Sequence, residues 1–123
     1  MDGKRMLEIF ESMNGYDKIN MHMDAKREEY GVFFTNIVRG VFLMDEEYVN
    51  KGVKDLVDES TEENDTLLLT ALVCFLNHGC WDLYERGMYQ ASRLLDKMYK
   101  KAHRFALENL KDEELTAYLR VID

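Results

Sequence analysis

The chain of 123 residues contains no proline, two cysteines, three histidines and a single tryptophan. Average usage would give about six prolines, and without them nothing breaks a long helix or builds a rigid linker. Two cysteines cannot form the disulfide framework of a small secreted domain, and no apolar segment resembling a signal peptide follows the start. We therefore expect a single helical domain over residues 1–123, located in the reducing cytoplasm.

Positive charge is also scarce, because 24 acidic residues face 16 basic ones and leave a net charge of -8. An acidic surface repels nucleic acid and anionic lipid, so we expect direct binding to neither. The longest apolar run, residues 67–76, is only half of the roughly 20 residues that span a bilayer. With 46% hydrophobic residues, the composition is typical of a folded globular protein.

Helical periodicity predicts an all-α fold, a compact bundle of about six helices. The predicted helices cover residues 3–13, 17–43, a segment starting at Asp45, 67–76 with its flanks, 81–110, and a segment starting at Asp112. Ser60 with Glu63 resembles a capping box for the fourth helix, which residues 77–79 would end. Residues 67–76 are apolar on all sides, which predicts a central helix with Leu72 and Phe75 fully buried.

The long C-terminal helix predicted over residues 81–110 has two opposed faces. One is an apolar seam at alternating steps of three and four, made of Trp81, Tyr84, Met88, Ala91, Leu95, Met98, Ala102 and Phe105. The other is a basic stripe made of Arg86, Arg93, Lys97, Lys100 and Arg104. The stripe is the candidate partner-binding face. Its alternatives are simple solvation and internal pairing with the acidic segment 45–65.

Motifs for catalysis or cofactor binding are missing, including the Gly-x-Ser-x-Gly elbow and the glycine-rich phosphate loop. Cys74, His78 and Cys80 are spaced to contact a metal, but structural zinc needs a fourth ligand. Met21, His22 and Met23 are ligand types for a soft ion, although the two methionines do not share a helix face. We expect no cofactor and no catalytic residue.

Acidic pairs three residues apart are the remaining metal candidates, because two such pairs on neighbouring helices can hold Mg²⁺. They occur at Glu8/Glu11, Asp55/Asp58 and Asp82/Glu85. All-helical nucleotide pyrophosphohydrolases use acid pairs of this kind, but their glutamate-rich first motif is missing here. In so acidic a chain these pairs also arise by chance, so we assign no metal site to them.

These features favour a small, acidic, non-enzymatic protein that binds another protein and covers part of its surface. Inhibitors, immunity proteins, antitoxins and phage counter-defence proteins share this profile, and the argument is by association only. One alternative is a metal-dependent nucleotide hydrolase that uses the carboxylates of Asp55, Asp58, Asp82 and Glu85. A further alternative is a homodimeric scaffold, joined through the helix at residues 81–110.

Overall fold

The computed structural model describes residues 22–122, which are helical apart from short turns. Its helices are α1 (Arg27–Phe42), α2 (Glu46–Glu62), α3 (Thr66–Glu85), α4 (Tyr89–Asn109) and α5 (Asp112–Ile122). A helical turn at residues 22–25 precedes α1, and Lys26 separates the two, so the predicted helix 17–43 is interrupted there. The predicted helix 3–13 lies outside the described residues. The all-α bundle is confirmed.

The first three turns between helices share one arrangement and have three residues each, 43–45, 63–65 and 86–88. The middle residue always has a positive φ: Met44 at 53°, Asn64 at 51° and Gly87 at 79°. The last residue donates its N–H to the carbonyl five positions earlier, at 2.8–2.9 Å, which is the Schellman motif. That last residue is also the N-cap of the next helix, so each turn both ends one helix and begins another.

Aspartates cap two of these helices. The carboxylates of Asp45 and Asp65 accept the N–H three residues ahead at 3.1 and 3.0 Å, so the predicted cap at Asp45 is confirmed. The predicted capping box of Ser60 and Glu63 is wrong. Ser60 lies inside α2, where its hydroxyl donates to the carbonyl of Val57 at 2.7 Å, and the helix continues past it.

Helix α3 is the central element, as predicted, because it packs against α2, α4 and α5. Leu72 is fully buried, whereas Phe75 is only half-buried, since it lies at the edge of the core with its ring 5.1 Å from that of Phe34. Among the described residues, α3 alone is long and apolar enough to cross a membrane, with a mean hydropathy of 1.3. Half of that stretch is buried inside the bundle, which is also typical of the core helix of a soluble protein.

Glycines allow α1 and α2 to approach closely. A Cβ atom on Gly40 would lie 2.7 Å from Cγ2 of Val49 and 3.1 Å from its backbone nitrogen. On Gly52 it would lie 2.9 Å from Cγ1 of Ile37. The two helices therefore cross closely at Gly40, whereas a Cβ on Gly31 would meet no atom of residues 22–122 within 4 Å.

The prediction of one helix over residues 81–110 is wrong, and so is the predicted helix end at residues 77–79. Helix α3 continues through Gly79 to Glu85, and the chain then reverses at Gly87, whose positive φ suits a residue without a Cβ. The seam is correspondingly divided. Its part on α4 is buried at Ala91, Leu95, Met98 and Ala102 and half-buried at Phe105, whereas Trp81, Tyr84 and Met88 are exposed.

Candidate interaction surface

Large apolar side chains are concentrated at one end of the bundle. Of the ten that are exposed among the described residues, seven lie at or beside the α1–α2 and α3–α4 turns: Phe42, Leu43, Met44, Trp81, Tyr84, Met88 and Tyr89. We call these seven the aromatic end. The two turns are neighbours, because Phe42 shares a groove with Leu83, and Met44 shares another with Gln90. An exposed apolar patch of this kind is a common mark of a binding site.

Three aromatic rings are ordered against one another although they face solvent. The Trp81 and Tyr84 rings lie 6.1 Å apart at 79°, and the Tyr84 and Tyr89 rings lie 5.3 Å apart at 62°. Both are edge-to-face arrangements, which aromatic quadrupoles favour. The turn at Gly87 makes the second contact, because Tyr84 is in the last turn of α3 and Tyr89 begins α4.

An apolar groove lies beside these rings, between α1 and α3. It has a volume of about 190 Å³, and its walls include Val38, Phe42, Phe75, Leu83 and Leu95. Among the described residues, Asp82 is the only charged one in its lining. A closed cavity of roughly 150 Å³ holds a benzene molecule, so the groove has room for one large side chain. We call it the apolar groove.

A second groove, of about 260 Å³, lies on the other side of the α1–α2 turn, between Met44 and α4. Lys97 and Glu46 line it and form an ion pair across it, and the hydrogen bond from Lys97 lowers the pKa of Glu46. Arg93 also lines this groove and has no ion pair within residues 22–122. Within the part of the chain that the structure describes, the wall of this groove, which we call the arginine groove, therefore carries one positive charge without an ion-pair partner.

The basic stripe is only partly as predicted. Arg86 does not lie on α4 but is the C-cap of α3, where it forms an ion pair with Asp82 at 3.1 Å. The other four residues are exposed along α4: Arg93, Lys97, Lys100 and Arg104. Lys97 bonds to Glu46, within the acidic segment, and Lys100 bonds to Asp96 at 2.8 Å. Internal pairing thus occupies part of the stripe, and partner binding by the rest stays a prediction.

Within residues 22–122, no three side chains of histidine, cysteine, aspartate or glutamate lie close enough together to hold a metal ion. Of the acidic pairs, Asp55 accepts a hydrogen bond from Lys51 at 2.8 Å, and Asp82 is paired with Arg86. The pairs of Asp55/Asp58 and Asp82/Glu85 lie on α2 and α3 and are not brought together in such a cluster. Glu8 and Glu11 lie outside the described residues.

The candidate metal ligands Cys74, Cys80 and His22 each lie against other groups of the protein. Cys74 is buried in the core, and Sγ of Cys80 lies 3.4 Å from the hydroxyl of Ser92. Met21 lies outside the described residues. His22 is tied to Asp65, with Nε2 2.7 Å from Oδ2 of the carboxylate.

Asp65 is a buried junction that the sequence did not reveal. Besides capping α3, it accepts hydrogen bonds from His22 and from the hydroxyl of Tyr30 at 2.9 Å. Burial raises the pKa of Asp65, but the bonds from His22, from the Leu68 N–H and from Tyr30 together outweigh it and lower the pKa. Burial, and then the bond to Asp65, raise the pKa of Tyr30. The junction joins the residues before α1 to α1 and α3, and all its polar groups are satisfied, so we assign it a structural role.

No family model, curated protein or solved structure matches this chain significantly. The aromatic end was missed from sequence because Trp81, Tyr84 and Met88 continue the spacing of the buried seam. The signal that could have revealed it is Gly87, because a glycine within a helical pattern can mark the end of a helix, and it lies where the seam changes from exposed to buried.

Proposed function

We propose that this protein acts by binding another protein and covering part of its surface, without chemistry of its own, and that the aromatic end is the surface that binds. The observation that carries the proposal is the clustering of seven exposed large apolar side chains at one end of an otherwise charged surface. Exposing them to water costs free energy, which burial against a partner recovers.

The size of the aromatic end is adequate for a stable complex. Its seven side chains are between 41% and 69% exposed. If each presents roughly half of the 150–250 Å² that a side chain of this size can bury, the patch offers roughly 500–900 Å². The largest apolar patch on a typical monomer covers about 300–600 Å² and is often functional, so the aromatic end lies at or above the upper part of that range. It approaches the roughly 800 Å² that each partner contributes to a standard interface.

The composition of the patch supports the same conclusion. Tryptophan, tyrosine, phenylalanine, methionine and arginine are the residues enriched in protein interfaces, and here all five occur together. The Trp81 ring already contacts the Tyr84 ring in the free protein, so ordering it on binding costs less side-chain entropy. Tryptophan and tyrosine are also the commonest residues to dominate binding energy.

A protein of this kind would act in the cytoplasm as an inhibitor, of the immunity, antitoxin or counter-defence type. Such a role needs a stable scaffold and one adhesive surface, and it needs no cofactor or catalytic group. The acidic net charge of -8 keeps a small chain with an exposed apolar patch soluble until it meets its partner.

The test is affinity capture from the native host with three versions of the tagged protein. These are the unmodified chain, the double variant Trp81→Ala with Tyr84→Ala, and the control Val32→Ala, which truncates an exposed side chain away from the aromatic end. We expect the unmodified chain and the control to recover the same protein and the double variant to lose it. After purification, that protein should protect Trp81, the only tryptophan, from iodide quenching.

Two results would contradict the proposal. One is a partner that the double variant still binds with unchanged affinity, which would place the contact elsewhere. The other is hydrolysis of nucleoside triphosphates with Mg²⁺ by the purified protein, abolished by Asp82→Ala or Glu85→Ala. That outcome would favour the metal-dependent hydrolase instead.

A further inference from the structure

We infer that the partner is recognised at two points, on either side of the α1–α2 turn. A large apolar side chain of the partner enters the apolar groove, and a nearby carboxylate of the partner pairs with Arg93 in the arginine groove. The inference rests on the proposed function and specifies the chemistry of the partner segment.

The apolar groove defines the first point. Its walls come from α1, α3 and α4, so three packed helices hold it open in the free protein. Asp82, the one charged residue among the described residues that line it, already forms an ion pair with Arg86. The groove therefore does not select a cationic side chain of the partner. A preformed apolar groove of this volume selects an aromatic or large aliphatic anchor, and it loses little entropy on binding.

Charge complementarity defines the second point. In the arginine groove, Lys97 and Glu46 neutralise each other, while Arg93 has no ion pair within the described residues. The groove therefore favours an anion, although the protein as a whole is acidic. The guanidinium group binds a carboxylate through two parallel hydrogen bonds, which fixes the orientation of the partner as well as its charge.

Met44 lines the arginine groove, at the second point, and is held in an unfavourable conformation. Its φ is 53°, a region that glycine occupies in the equivalent α3–α4 turn and that residues with a Cβ rarely adopt. The side chain is 47% exposed and forms a wall of the arginine groove. A flexible thioether at this position suits contact with a partner, whereas the turn alone would be better served by glycine.

The test begins with selection of random linear peptides, displayed on phage, against the full-length protein. We expect enrichment of peptides that combine a large apolar residue with a neighbouring aspartate or glutamate. The enriched peptide is then synthesised and titrated against Val38→Glu, which places a charge in the apolar groove, and against Arg93→Glu. Each substitution should weaken binding by about tenfold or more.

Matched controls exist for both variants. Val32→Glu makes the same change at an exposed valine of α1 outside the groove, and Lys54→Glu reverses a charge at an exposed lysine of α2, outside the basic stripe, that also lacks an ion pair within the described residues. Both controls should bind within about twofold of the parent. Replacing the acidic residue of the peptide by lysine should restore affinity for Arg93→Glu specifically.

Each other outcome decides against the inference. Peptides that bind Trp81→Ala more weakly than the parent, but bind Val38→Glu and Arg93→Glu as tightly as the parent, would overturn the two-point recognition. The aromatic end would then remain a binding surface. Equal weakening by Arg93→Glu and Lys54→Glu would reduce the second point to general electrostatics and overturn it. No enrichment, or only peptides indifferent to every variant at this end, would overturn both the inference and the proposed function.

Discussion

Two glycines of α1 allow the packing of α1 against α2 to be tested with a single type of substitution. Alanine is the better helix former by about 1 kcal/mol, so replacing either glycine gains roughly that much in propensity. At Gly31 nothing else changes, because the added Cβ meets no atom within 4 Å. We expect Gly31→Ala to stabilise the protein by about 1 kcal/mol.

At Gly40 the same substitution has a steric cost. The new Cβ would lie 2.7 Å from Cγ2 of Val49, 2.9 Å from Cδ1 of Tyr48 and 3.1 Å from the backbone nitrogen of Val49. A side chain can rotate away, but the backbone nitrogen moves only if α2 moves. Inserting a carbon into a close-packed contact costs about 1–3 kcal/mol, so Gly40→Ala should be neutral to destabilising by about 2 kcal/mol after the propensity gain.

The measurement is urea denaturation followed by far-UV circular dichroism, with the free energies of unfolding compared at a common m-value. The informative quantity is the difference between the two variants, which we expect to be about 1–3 kcal/mol, because propensity and unfolded-state effects largely cancel. If both variants shifted the midpoint upward by the same amount, α1 and α2 would not be in the close contact described here.

Three further predictions concern the core, the acid limb and the basic stripe. Leu72→Ala should destabilise the protein by about 2–5 kcal/mol in a thermal melt, because Leu72 is fully buried in the central helix. The folded-state pKa of Asp65 is lowered, so its stabilising contribution is present above its unfolded pKa of about 4 and is lost as pH falls through the folded value. In Asp65→Asn the free energy of unfolding should therefore depend less on pH in the acid range. Reversing Lys97 and Lys100 to glutamate should slow association with an acidic partner and leave the melting temperature nearly unchanged, because both are exposed.

Each of these three predictions has a result that would contradict it. Leu107→Ala, at an exposed position, is the control for Leu72→Ala, and equal melting temperatures for the two would remove α3 from the centre of the core. If the free energy of unfolding of Asp65→Asn fell with pH as steeply as that of the parent, the junction with His22 and Tyr30 would not depend on the negative charge of Asp65. A lower melting temperature with unaltered binding would mean that the pairing of Lys97 with Glu46 and of Lys100 with Asp96 contributes to stability and that neither lysine acts in partner association.

Local patterns predicted much of the fold from sequence. Helical spacing within the predicted helix 17–43 places Tyr30, Ile37 and Val41 on a buried face of α1, whereas Val38 and Phe42, which continue the same spacing, are exposed. The apolar run at 67–76 forms the central helix, and Asp45 begins α2. These features depend on neighbours a few residues apart, and sequence spacing reports such neighbours directly.

Helix boundaries in the second half were not predicted, because competing signals lie close together. Gly79 and Gly87 both follow helical patterns, and only tertiary packing decides which one ends the helix. Gly79 is needed for packing, since a Cβ there would lie 2.9 Å from Cδ1 of Leu95. Ser60 similarly matches a capping pattern, but the helix passes through it to the Schellman turn at Asn64. Arg86 likewise lies outside the stripe on α4, because the helix predicted over residues 81–110 is interrupted at Gly87.

The candidate site was less predictable than the fold, because exposure is a property of the whole bundle. Trp81 and Tyr84 have the spacing of core residues, and only the reversal at Gly87 turns them toward solvent. The apolar groove combines residues from three helices, and the arginine groove combines residues from α2, α4 and the turn before α2, which sequence spacing alone cannot bring together. That Arg93 has no ion pair within residues 22–122 likewise depends on Glu46 being engaged by Lys97.

The length of α3 has a consequence for how this protein can evolve. Its first half, through Leu76, is enclosed by other helices, while Trp81 and Tyr84 in its last turns face solvent. Substitutions in the first half are expected to unfold the protein, whereas those at exposed positions of the last turns, such as Trp81 and Tyr84, alter a surface and leave the fold intact. One helix thus joins a segment that is intolerant of change to a segment that is free to change, and new binding specificities can arise in the second without a loss of stability in the first.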